Sequence, residues 1–221
     1  MRKLAACAIG ALITAGAAQA DLLVSFDFAG AAGNEVTSNA NFVAAGISGP
    51  VTISRGGGIA AAANGDRFNA NGWGETSAAN ALASGDYFEW TITPDTGFFL
   101  SITQIAFQVQ RSNTGASNLV LRTSVDSYTA NLNTLNNFIG NSATVTTLFD
   151  SGGVSALQNV GGAITFRVIG WTGATTGTLG FEGPGNDIQI WGAAVVPEPA
   201  SMALMTMGVG VVALMRRRLR L

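Results

Sequence analysis

Residues 21–195 are predicted to form an all-β domain, an antiparallel β-sandwich of jelly-roll connectivity, and three observations predict it. Apolar residues recur with a period of two in many short runs, and turn-forming clusters separate those runs. No stretch between Asp21 and Val195 keeps a 3.6-residue apolar period for more than about two turns. Two sheets with one apolar face each bury those faces against one another.

Taken in order, Val24, Phe26 and Phe28 alternate with Ser25 and Asp27 and predict the first strand. Phe88, Trp90 and Ile92 alternate with Glu89 and Thr91; Ile105, Phe107 and Val109 alternate with Ala106, Gln108 and Gln110. Leu119 and Leu121 mark a further strand, as do Ile164, Phe166 and Val168 against Thr165 and Arg167, and Ile188 and Ile190 against Gln189. Turns are predicted at Asn71-Gly72-Trp73-Gly74, Ser112-Asn113-Thr114-Gly115 and Gly183-Pro184-Gly185-Asn186. The best helical candidates are Ile59–Ala63 and Asn131–Ile139, and neither carries a sustained apolar stripe.

Charge is distributed unevenly. The whole chain has 11 basic and 13 acidic residues and no histidine. Arg55, Arg67, Arg111, Arg122 and Arg167 are the only bases between residues 21 and 196, against twelve carboxylates, so this stretch carries a net charge near −7. Such an acidic domain is not suited to nucleic acid. It lacks Lys, His and Cys, which removes the Ser-His-Asp triad, the Cys-His pair, the Schiff-base lysine and the ordinary zinc site. Gly56-Gly57-Gly58 is followed by no Lys-Ser/Thr, so it is no phosphate loop. No cofactor is implied.

Carboxylate chemistry is what remains. Asp86 with Glu89, or Asp66 with Glu75, are the pairs a glycosidase would need about 5–10 Å apart across a cleft. Asp27 and Asp187, in the first and last strands, are the weak calcium candidates, with no contiguous calcium loop beside them. Trp73 and Trp171 sit beside glycines in predicted loops and are the candidate sugar platforms. Trp90 is in phase with Phe88 and Ile92 and belongs to the core, while Trp191 is out of phase with Ile188 and Ile190 and is expected outside. Arg111, Arg122 and Arg167 lie in or at the ends of strands, where guanidinium forks either hold a ligand or pair with carboxylates such as Asp126.

Both termini read as addresses. Met1-Arg2-Lys3, the apolar run Leu4–Gly16 and Ala18-Gln19-Ala20 fit a secretory signal peptide over residues 1–20, leaving Asp21 first after cleavage. Leu4-Ala5-Ala6-Cys7 spells a lipoprotein box, but cutting before Cys7 would leave too few residues upstream for an apolar region. At the other end, Pro197-Glu198-Pro199 is rigid and extended because each proline fixes its own φ and restrains the residue before it. The uncharged run 200–215 follows, 16 residues that as a helix reach roughly 24 Å. Arg216, Arg217, Arg218 and Arg220 within 216–221 suit the cytoplasmic flank of a membrane segment and not the end of a core helix. Arginine stems that snorkel ease the short span.

This order of parts, Val196-Pro197-Glu198-Pro199, an apolar helix and an arginine-rich end, resembles the PEP-CTERM sorting signal of Gram-negative bacteria over residues 196–221. The resemblance implies that an exosortase in the inner membrane recognises Pro197, Glu198 and Pro199 and processes the chain near them. The expected partners are that enzyme and the secretion machinery, the inner membrane as a transient anchor, and an extracellular polysaccharide. Arg111-Ser112-Asn113-Thr114-Gly115, Leu121-Arg122-Thr123-Ser124-Val125-Asp126, Phe166-Arg167-Val168 and Gly177-Thr178-Leu179 are also similar to a domain common among PEP-CTERM proteins, although Asn186-Asp187 stands in the reverse of that domain's usual order. The resemblance implies a protein of the cell surface or extracellular matrix, and the absence of His, Lys and Cys from the domain favours a non-catalytic structural or adhesive role. The alternative is a secreted carbohydrate-binding domain, or a glycosidase.

Overall fold

The computed structural model of the chain describes residues 20–140, 144–182 and 185–197. Its strands are β1 (Asp21–Phe26), β2 (Thr37–Asn39), β3 (Phe42–Val43), β4 (Ile47–Ser48), β5 (Thr52–Arg55), β6 (Ala60–Ala61), β7 (Phe68–Asn71) and β8 (Tyr87–Pro94). They continue with β9 (Phe99–Arg111), β10 (Asn118–Thr123), β11 (Asn133–Leu135), β12 (Thr144–Asp150), β13 (Ile164–Trp171), β14 (Thr178–Phe181) and β15 (Ile188–Val195). Among the described residues there is one α-helix, α1 (Ala78–Ser84), which precedes β8. Every strand pairing is antiparallel, in two sheets.

The first sheet runs β3-β1-β15-β9-β14-β7-β6 with β12 on β9, and the second runs β11-β10-β13-β8-β5-β2 with β4 on β8. The long strand β9 organises the first sheet. Along one edge it pairs with β14 and then β15, which form one interrupted strand: Glu182 N donates to Gln108 O and Gln108 N donates to Asp187 O across the break. Along the other edge lies β12, with Val145 opposite Val109 and Thr147 opposite Phe107. The chain passes from one sheet to the other at most connections, as from β8 to β9 to β10 and from β12 to β13 to β14.

Alternation puts one face of each strand inside. Phe88, Trp90 and Ile92 from β8, Ile105, Phe107 and Val109 from β9, Phe166 and Val168 from β13, and Ile188 and Ile190 from β15 are all buried, as the period of two predicts. A bulge interrupts β9: Leu100 and Ile102 point inward, then Thr103 and Gln104 intervene before Ile105, and the register with β15 shifts between Trp191 and Gly192. Phe181 sits at the centre of the aromatic core, 5.0 Å from Phe88, 5.9 Å from Phe107, 6.4 Å from Trp90 and 6.5 Å from Phe28 between ring centroids. Such tilted and edge-on pairs add roughly 0.5–1.5 kcal/mol each beyond their buried area. With no disulfide available, this core carries the fold.

Several expectations are corrected. Ile59–Ala63 is not helical but contains β6, and Asn131–Ile139 contains β11. The helix lies elsewhere because Ser77 caps it, accepting from Asn80 N at 3.2 Å, and Gly85 closes it in the left-handed region at φ 92°. It covers the outer face of the second sheet, where Ala81, Val120 and Ile169 form a small cluster with Leu82, Tyr87 and Trp171 against it. Gly56-Gly57-Gly58 is a packing device: Gly56 N donates to Tyr87 O and Gly58 N to Gly85 O, and a Cβ on Gly58 would lie 2.1 Å from Asp86 Oδ1.

The ends of the domain lie together. β1 pairs with β15, Asp21 opposite Gly192, and Val195 opposite Phe99 closes the last ladder two residues before Pro197. Among the described residues no helix is long and apolar enough to cross a membrane. Glu198, Pro199, the segment 200–215, Arg216, Arg217, Arg218 and Arg220, and all but the last residue of the predicted signal peptide, lie outside the described residues.

Candidate functional site

A trough of about 440 Å³ opens on the outer face of the second sheet. The pleat makes it polar: where Ile53, Trp90, Ile92 and Phe166 point inward, Thr52 and Ser54 of β5, Glu89, Thr91 and Thr93 of β8, and Thr165 and Arg167 of β13 face outward. Ser48, Pro50 and Tyr128 complete its walls. The strand register sets side chains in rows. Ser54 is opposite Glu89, Glu89 opposite Arg167, and Arg167 opposite Arg122. In the next row Thr91 faces Thr165, their hydroxyls 2.8 Å apart.

Arg167 is the centre of this arrangement. Its Nε donates to Glu89 Oε2 at 3.0 Å, and its guanidinium carbon lies 4.2 Å from the Tyr87 ring centroid and 4.1 Å from that of Tyr128. A cation placed over two rings in this way favours Arg over Lys, since the planar, weakly hydrated guanidinium suits an aromatic face. Two arginines directly opposite across a ladder repel one another, and here they are turned to different partners. Arg122 Nε donates to Asn131 Oδ1 at 2.7 Å and its Nη1 to Tyr128 O at 3.0 Å. Among the described residues neither η nitrogen of Arg167 has a hydrogen-bond acceptor.

Tyr128 is held over the trough by a built loop. Ser127 and Tyr128 both occupy the left-handed region, at φ 59° and 60°, which costs a non-glycine residue roughly 1–3 kcal/mol. The surroundings impose it: Tyr128 N donates to Thr123 O, Arg122 grips Tyr128 O, and Asp126 Oδ2 accepts from Ala130 N at 2.7 Å. Ser124 Oγ ties the loop to β13 by accepting from Thr165 N at 2.9 Å. The segment Leu121–Asp126 thus positions Tyr128. Burial raises the Tyr87 hydroxyl above its ordinary pKa, and the Arg167 charge opposes that.

The other predicted site residues are taken up by the fold. Trp73 is fully buried, packed at a tilt against Phe88 at 5.3 Å with its indole N–H donated to Ala70 O, so it has no face for a sugar ring and the platform expectation is corrected. Trp171 ends β13 instead of lying in a loop and packs partly buried near α1. Trp191 is half-buried on the outer face of β15, and Trp90 is core, in line with their phases. Arg111 gathers the carbonyls of Phe138, Ser112, Asn113 and Gly115, which occupies its guanidinium in closing the turn after β9; burial lowers its pKa. That turn meets Gly177-Thr178, where Ser112 N donates to Thr178 O and Thr178 N to Ser112 Oγ, and neither Gly115 nor Gly177 has room for a Cβ.

The ion pairs differ from expectation too. Asp126 caps its own loop, and among the described residues the carboxylates in ion pairs with arginines are Glu89 on Arg167 and Glu182 on Arg67, the latter at 2.7 Å. Asp27 and Asp187 do come near one another through the β1–β15 pairing, but Asp27 Oδ1 accepts from Ala29 N and Asp187 Oδ2 from Phe28 N at 2.8 Å. Among the described residues no three metal-ligating side chains cluster. Asp86 is buried beside Ser84 while Glu89 faces the trough, so that pair does not share a cleft, and Asp66 accepts from Gly30 N. Burial raises the Asp86 pKa, with the Ser84 hydroxyl bond opposing it.

Arg55 was not singled out by its sequence context. It lies at the core's edge, 3.8 Å over the Phe68 ring, and donates to the carbonyls of Gly33, Glu35 and Asn69. Burial pushes its pKa down to about 10, against the pull of Glu35.

Residues 195–219 match the PEP-CTERM protein-sorting motif. No curated protein matches the chain. Among solved structures, a family 29 carbohydrate-binding module from Piromyces equi aligns with 9% identity and a TM-score of 0.37, over 79% of this chain and 89% of that one. A cyclase from Fischerella sp. TAU aligns with 14% identity and a TM-score of 0.33, over 69% and 78% of the two chains. A Stig cyclase from the same organism aligns with 13% identity and a TM-score of 0.32, over 79% and 100%. At these scores they carry no argument about ligand or activity.

Proposed function

We propose that this is an exported protein processed by an exosortase at Pro197-Glu198-Pro199, and that its β-sandwich is displayed without catalysis at the cell surface or in an extracellular matrix. The match of residues 195–219 to the sorting motif carries the reading, because the motif implies export, membrane-anchored sorting and an exosortase partner. The signal peptide over residues 1–20, the membrane helix over 200–215 and the arginine flank over 216–221 belong to the same proposal, with the domain outside and the arginines on the cytoplasmic side. Jelly-roll connectivity is the topology we assign to the sandwich.

The fold supports this use. Among the described residues Val195 is the last in a ladder, so only Val196 separates the sheet from Pro197-Glu198-Pro199, and an extended chain of five residues to Ala200 spans at most about 17 Å. The anchored domain would therefore stand close to the membrane, with Asp21 at the same pole. A displayed, non-catalytic role is supported by the trough's composition, since Glu89 is its lone carboxylate among the described lining residues and a glycosidase requires two. An extracellular polysaccharide is the partner we assign to such a face. Replacing Glu198 with Ala in the native cell tests the sorting claim: the uncut chain is expected to accumulate in the membrane, and an unchanged mature size and location would refute it.

A further inference from the structure

We infer that the trough on the outer face of the second sheet is a binding groove for a neutral, polyhydroxylated ligand, a carbohydrate chain without carboxylate or sulfate groups. The inference deepens the displayed-protein reading by giving it a ligand, yet it stands on geometry independent of sorting.

Three observations carry it. Arg167 differs from the other four arginines of the domain, whose guanidinium groups are spent on backbone carbonyls, on Asn131, or on Gln110 and Glu182. Arg167 is instead clamped between Tyr87 and Tyr128 with, among the described residues, only Nε engaged in a hydrogen bond, and it lines the trough. A cation held rigid by its ring contacts, with donors left over, is preorganised to give hydrogen bonds to a ligand. Secondly, Ser127 and Tyr128 are kept in an unfavourable backbone conformation by Arg122, Thr123 and Asp126, and the outcome of that restraint is a tyrosine ring over the groove. Thirdly, the floor is hydroxyl-rich, with Thr91, Thr165, Thr93 and Ser54 in cross-strand rows.

Charge selects the class of ligand. Glu89 neutralises Arg167 at 3.0 Å, so the groove has no net positive charge, and it belongs to a domain near −7. An anionic polymer would be repelled, because the local carboxylate and the overall field act in the same direction. Sugar hydroxyls both donate and accept, which suits Glu89 as acceptor, the η nitrogens as donors and the threonine hydroxyls as either. Arg167 covers one face of the Tyr128 ring, and the opposite face and edge are the apolar surface offered to sugar C–H groups.

The test uses the purified full chain in mild detergent and affinity electrophoresis through gels containing a soluble β-glucan, a galactomannan or dextran, with alginate as the anionic probe. Retardation by at least one neutral polymer and none by alginate is expected. Arg167→Lys, which keeps the charge but loses the planar fork, and the double variant Thr91→Val, Thr165→Val, which keeps β-branched strand residues, are each expected to weaken that retardation about tenfold. Trp171→Ala is expected to leave it unchanged. Retardation by alginate alone, no retardation by any neutral polymer, or full retardation of both variants would overturn the inference. Thermal unfolding of the threonine variant, expected within a few degrees of the parent, separates loss of the groove from loss of the fold.

Discussion

Replacing Trp73 with Ala separates a core role from a ligand role for this residue. Trp73 is fully buried against Phe88, and its indole ring lies where a Cβ on Gly170 would come within 2.8 Å of it. Gly170 is therefore the space into which the ring fits. Truncation removes the largest side chain from a close-packed site and leaves the Ala70 carbonyl without its indole donor. Losses for Trp→Ala in a core are about 3–5 kcal/mol, and in a domain of this size each kcal/mol moves the midpoint roughly 2–4 °C. The expected fall in Tm is thus about 6–20 °C, read by circular dichroism on the full chain in detergent. Trp73→Phe should lose less, because an aromatic ring against Phe88 remains. A change of under 2 °C for the alanine variant would refute the packing account and return Trp73 to the surface.

Two further predictions concern stability. Glu35 is pulled up by burial but held below its ordinary pKa by the amides of Ala32 and Gly33 and by Arg55, so its contribution is present above 4.5 and is lost as pH falls through the lowered folded value. Asp86 has the opposite sign: its raised folded pKa means that the native state holds the proton more tightly, so its ionisation costs stability as pH rises from 3.8. Urea midpoints from pH 3 to 7 should show Glu35→Gln losing part of the acid-side slope and Asp86→Asn gaining stability near pH 7; unchanged profiles for both would contradict the assignments. Gly58→Ala should destabilise by about 1–3 kcal/mol because its Cβ meets Asp86 Oδ1 and Ser84 O, whereas Gly57→Ala, with nothing within 4 Å, should be near neutral. Equal midpoints for the two variants would show that the Gly56–Gly58 packing is misassigned.

The strands that carry a strict apolar alternation were legible because burial and hydrophobicity agree along them, as in Phe88-Glu89-Trp90-Thr91-Ile92. β12 was not, and the reason is physical. Thr147 points inward and is buried while Leu148 points outward and is 60% exposed, so the apolar pattern contradicts the face pattern. The helix left no periodic signal because α1 has only seven residues, about two turns, and is defined by its Ser77 and Gly85 caps. Trp73 misled for a related cause, since Asn71-Gly72-Trp73-Gly74 does turn the chain but turns the indole inward. The groove was partly legible: Arg122 and Arg167 stood out as strand arginines, but Tyr128 and Glu89 join Arg167 only through the β8–β13 register and the loop after β10. Long-range pairing of this kind leaves no local trace in the chain.

The sorting account meets its most direct test in the intact mass of the mature protein recovered from the native cell. Processing at the motif predicts a species that begins at Asp21, ends near Pro197-Glu198-Pro199 and lacks the arginine tail. A mature protein that still ends at Leu221 would contradict it.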